Sequence, residues 1–154
     1  MAIATAVGVA QGLREAGLPV RHIAVCTPPA PAPPGHPRPR AAAFDDLRVS
    51  TDDPRRVIRE GGVVEVYDTP RDVQARLRQL DKQTLVAQTY GFDEGGQMLQ
   101  PEHRLTQGTV LLRLTGALDD RALGQYAKTL RRVAGNTVPD PSLLHDTEEA
   151  KCST

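Results

Sequence analysis

Apolar positions along the first third of the chain change their period twice. Ile3, Val7, Ala10 and Leu13 recur at helical spacing, which predicts a helix over 3–16. Gly17 stops it and Pro19 prevents its continuation. Val20 to Cys26 then reads as a strand. A helix–turn–strand unit of this size cannot bury its own apolar faces, so it must dock on the rest of the chain or on a partner.

Beyond a proline-rich stretch the pattern resumes. Residues 44–60 are ambiguous: Asp52 or Asp53 is placed to cap a short helix, with Pro54 at its first position and Gly61-Gly62 at its end. Val63 to Tyr67 reads as a short strand. Thr69 is placed as the cap of a helix, with Pro70 first and Asp72 third in the manner of a capping box. Its apolar stripe is Val73, Leu77 and Leu80. Thr84 to Tyr90 reads as a strand, followed by a glycine-rich turn, and 97–100 as a short strand closed by Pro101. Thr109 to Leu114 is the clearest strand. Residues 117–134 predict the longest helix, with Leu118, Leu123, Tyr126, Ala127, Leu130 and Val133 on one face and Gly135-Asn136 as its stop.

These elements predict an α+β fold: a small mixed or antiparallel sheet of four to five strands, packed with two to four helices and carrying a proline-rich arm. The chain divides into an N-terminal helix–strand unit (1–26), a proline-rich arm or linker (27–43), a main α+β domain (44–135) and a polar C-terminal tail (136–154). Its 154 residues suffice for one core without disulfides or metals. Aromatic residues make up only 3% and tryptophan is lacking, so the core must be aliphatic and thin. Part of the stability is therefore expected from a partner.

Nineteen basic and nineteen acidic residues give a formal net charge of zero. That balance argues against a bulk electrostatic footprint for nucleic acid or for a membrane surface. Two cysteines, Cys26 and Cys152, are too few for a disulfide framework. With no long apolar run, the chain is expected in the cytoplasm, or in a virion if it is viral.

Two features suggest contact with other proteins. Ala4, Gly8, Gly12 and Ala16 lie four apart and form a small-residue seam on the first helix. The plainer reading of the seam is close packing on the chain's own sheet; the sharper one is a helix contact between subunits. Between Pro28 and Pro39, seven of twelve residues are proline. Such a segment has no helix or ladder option and runs as polyproline II or irregular chain. Pro31, Pro34 and Pro37 keep the P-x-x-P spacing, and Arg38 and Arg40 flank them. The arm serves either as a semi-rigid spacer or as a ligand for an aromatic groove.

Candidate chemistry is sparse. The histidines lack metal-ligand spacing, the paired acids point in different directions, and the glycines form no phosphate loop. No cofactor, metal or catalytic residue is expected. Cys26 ends a strand before a loop, where α/β enzymes place nucleophiles; a buried structural thiol is the plainer reading.

The run from Ser50 to Val63, with Pro54, Arg55, Arg56, Arg59 and Gly61-Gly62, resembles the second helix and turn of the alpha-L RNA-binding module of pseudouridine synthases and tyrosyl-tRNA synthetases. That resemblance implies phosphate contacts by Arg55, Arg56 and Arg59. The strand and turn at 110–121, with Gly116-Ala117-Leu118-Asp119, resemble the opening of the anti-sigma-factor antagonist domain. At fold level, helices, a small sheet and an extended arm resemble the small neck and tail-joining proteins of phages.

The expectation is a non-catalytic interaction or assembly protein, a homo-oligomer or part of a larger complex, with protein partners and no membrane. The alternative is a nucleic-acid-binding or regulatory module using Arg55, Arg56 and Arg59.

Overall fold

The computed structural model describes residues 5–26, 39–49, 61–90, 102–134 and 148–150, with the backbone alone for 26, 83–90 and 148–150. In chain order the elements are α1 (Ala6–Glu15), β1 (Val20–Cys26), β2 (Arg40–Asp46), β3 (Gly61–Val66), α2 (Pro70–Tyr90), β4 (Glu102–Gln107), β5 (Val110–Thr115), α3 (Asp120–Val133) and β6 (Glu148–Ala150). The sheet order is β4-β5-β3-β2-β1-β6. The first five strands pair antiparallel, and the three-residue β6 adds parallel to β1. This is an α+β fold, as the periodicity predicts. Among the described residues no helix is long and apolar enough to cross a membrane.

Alternation along β5 sends its side chains to two different cores. Val110, Leu112 and Leu114 face α1 and α3, where they join Leu13, Phe44, Val64, Tyr126 and Leu130. Leu111 faces the other way and joins Tyr67, Val73 and Leu80 beneath α2. The sheet is thus a middle layer, with α1 and α3 on one side and α2 on the other. Two of the scarce aromatics meet in the larger core, where Phe44 stacks on Tyr126 with ring centroids 6.1 Å apart.

Local capping starts each helix. Thr5 Oγ1 accepts from Gly8 N at 3.0 Å, Thr69 Oγ1 from Asp72 N at 3.2 Å, and Asp119 Oδ1 from Ala122 N at 2.8 Å. Asp119 is thus the N-cap of α3.

Four differences from the sequence reading are instructive. The strand expected over Thr84–Tyr90 is instead the last part of α2. No glycine or proline interrupts residues 71–90, and extending a helix adds a hydrogen bond per residue with no new nucleation cost. β4 has a polar sequence, Glu-His-Arg-Leu-Thr-Gln, that gives no apolar alternation. It forms because a two-residue turn at Gly108-Thr109, with Gly108 at φ +60°, folds it back on β5. β2 begins at Arg40, inside the stretch read as linker, and runs through three alanines. Alanine is a poor strand former, but this strand is paired on both sides and buried. Gly61 and Gly62, read as a helix stop, open β3 instead. A Cβ at Gly61 would sit 2.5 Å from the backbone of β2, so the close approach of the two strands requires glycine. The proline arm, the short helix near Asp52 and the strand at 97–100 lie outside the described residues.

Candidate interaction surface

Two networks bury carboxylates inside the fold. On the α2 side, Glu65 is 3% exposed in the middle of β3. Its Oε1 accepts from Arg76 Nε of α2 at 3.1 Å and from the Tyr67 hydroxyl. Its Oε2 accepts from Arg113 Nη1 of β5 at 3.1 Å. Arg113 in turn makes a two-pronged pair with Glu102 of β4, at 2.7 and 2.8 Å. Burial pushes the Glu65 carboxyl up, but the charges of Arg76 and Arg113 outweigh it and hold the carboxyl below its usual range. Burial and the neighbouring Glu65 push the Tyr67 hydroxyl well above its ordinary value. The carboxylate is ionised, fully paired and closed off from solvent.

On the other side, Asp46 closes β2 and is fully buried. Its Oδ1 accepts from Arg48 N at 2.9 Å and Arg48 Nε at 3.0 Å, and its Oδ2 from Arg48 Nη2 at 2.8 Å. Tyr126 of α3 donates to Oδ2 at 2.6 Å. Burial raises the Asp46 carboxyl, and the bonds from Arg48 and Tyr126 bring it below its usual range. Arg48 Nη1 also donates to Gln125 Oε1 at 2.7 Å, and its guanidinium lies 5.9 Å from the centre of the Tyr126 ring. The turn after β2 is thereby tied to α3.

That tie forms the wall of an open groove of about 910 Å³. Its lining comes from the α1–β1 turn (Ala16, Gly17, Leu18, Pro19), from Arg48, and from Gln125, Lys128, Arg131 and Arg132 of α3. The charged side chains of this lining are all basic. Among the described residues that line it, no nucleophile stands beside a general base. Among the described residues, no three His, Cys, Asp or Glu side chains gather as a metal site requires.

A separate pair joins His22 and Asp45, with Nδ1 2.9 Å from Oδ2. His22 takes φ +55° where the β1–β2 register shifts. The left-handed backbone makes the bulge that turns this side chain out.

The residues singled out from the sequence are scattered. Gly8 is buried, Gly12 half-buried, and Ala16 exposed at the end of α1, where it lines the groove. Arg40 opens β2, exposed and paired with Val66. Cys26 ends β1 beside Ala150. Ala4, Pro31, Pro34, Pro37, Arg38, Arg55, Arg56 and Arg59 lie outside the described residues. No sequence signal singles out Arg48 or Lys128, which the groove brings beside Arg131 and Arg132. The missed signal for the buried network was one charged residue inside each of two apolar strands, Glu65 among valines and Arg113 among leucines.

Comparison with models of known families, with curated proteins and with solved structures finds no match for this chain.

Proposed function

We propose that the protein is a non-catalytic interaction domain that works by docking an acidic protein partner within a larger assembly. The groove between the α1–β1 turn and α3 carries this reading. Arg48, Lys128, Arg131 and Arg132 line it, and among the described residues no acid–base pair faces into it. Arg48 is held rigid by Asp46, Gln125 and the Tyr126 ring and forms a fixed wall, beside which Lys128 and Arg131 meet the anion. The two buried carboxylates are neutralised by arginines, which supports a structural rather than a catalytic role for them. Zero net charge favours a local basic docking patch over a general affinity for polyanions.

Fluorescence anisotropy with a labelled polyglutamate peptide tests this. Binding is expected, and Lys128→Glu with Arg131→Glu should abolish it. Equal binding by the charge-reversed variant would overturn the reading. So would a preference for a single-stranded oligonucleotide with a steep loss of affinity in salt, which would favour the nucleic-acid alternative.

A further inference from the structure

We infer that the acidic surface docked is the first turn of α3 in a second copy of this chain, the two helices packed antiparallel across a two-fold axis at Gly124. The inference rests on the interaction reading above and adds the identity of the partner. Gly124 lies in the interior of α3 on its exposed side, and a Cβ there would meet nothing within 4 Å. Glycine weakens a helix interior, and among the described residues no packing contact gives a reason for it. Close approach of another backbone supplies one.

The charges around Gly124 choose the partner. Asp120 stands four residues before it and Lys128 four residues after, so all three share one face of the helix. An antiparallel pair centred on Gly124 sets residues equally far on either side of it level with each other. Asp120 of each copy then meets Lys128 of the other, with Arg131 one turn further on, and symmetry makes the contact twice. A parallel pair would set like charges together. The acidic first turn of one α3 thus reaches the basic groove beside the last turns of the other.

One helix pair is a small interface, so the dimer is expected to be weak and concentration-dependent. Sedimentation velocity over about a hundredfold range of concentration should show mass rising from monomer towards dimer. Asp120→Lys and Lys128→Asp should each weaken association by about tenfold or more, and the double exchange should restore it to within a few fold, because it recreates both pairs with signs reversed. Gly124→Leu should abolish association, with circular dichroism showing the fold unchanged. Self-association that none of these variants alters overturns the dimer. A monomer throughout the range that still binds polyglutamate overturns the dimer alone. A chain that does neither overturns the interaction reading as well.

Discussion

Tyr126, in the middle of α3, donates its hydroxyl to Asp46 at the end of β2 across 2.6 Å, although the two are 80 residues apart in sequence. This bond ties the last long helix to the sheet and fixes the turn that presents Arg48. Tyr126→Phe keeps the ring stacked on Phe44 and removes only the donor. It should cost about 2 kcal/mol, the range for a hydrogen bond to a charged group. Urea denaturation checks it, and a change below the fitting error would mean that Arg48 alone satisfies Asp46.

Glu65 is the counter-ion for two arginines packed between the sheet and α2. Glu65→Gln leaves Arg76 and Arg113 facing each other with one negative charge fewer. The expected loss is about 3 kcal/mol or more, as for a broken buried pair. Arg76→Met should cost less, because Arg113 still neutralises Glu65. Equal losses would contradict that ranking.

Stability should hold a plateau with two edges. Asp46, Glu65 and Glu102 hold their protons less tightly when folded than when unfolded. Their contribution is therefore full above about pH 4–5, the unfolded carboxylate range, and is lost as the pH falls below it. Tyr67 and Tyr126 hold theirs more tightly when folded. Their contribution is full below about pH 10 and is lost as the pH rises further. Unfolding free energies measured between these limits should be flat. In the Tyr126→Phe variant the alkaline fall should be shallower.

Glycine positions should respond with opposite signs. At Gly62 a Cβ would stand 2.5 Å from the Arg113 carbonyl oxygen and 3.0 Å from the Phe44 ring, so Gly62→Ala should destabilise by about 3 kcal/mol. At Gly124 the space is open, and Gly124→Ala should stabilise the monomer by about 1 kcal/mol through helix propensity. Thermal unfolding of both at low protein concentration makes the comparison. Loss of stability in Gly124→Ala would remove the argument that only a neighbouring molecule requires glycine there.

Gln11 of α1 is 2% exposed, and among the described residues neither polar atom of its amide has a hydrogen-bond partner. Gln11→Leu removes that unmet demand at similar volume and should raise stability by about 1–2 kcal/mol. A fall in the melting temperature would show that the amide is satisfied after all.

The local elements were legible in the sequence because their signals are local. The Thr69 cap with Pro70, the apolar stripe of Tyr126, Leu130 and Val133, the start of β1 and the run from Val110 to Leu114 each follow from neighbours within a turn or a pleat. The first helix and the α+β class follow in the same way. Only the tertiary structure decided the rest. Pairing made a strand of the polar β4 and of the alanines of β2, and the partner strand, not the sequence of either, supplied the reason. Glu65 and Arg113 are 48 residues apart, and the groove gathers residues 16–19, Arg48 and the end of α3 from three separate stretches. Such meetings depend on sheet order and register, which are set by the whole chain burying its apolar faces together, so no local pattern could announce them.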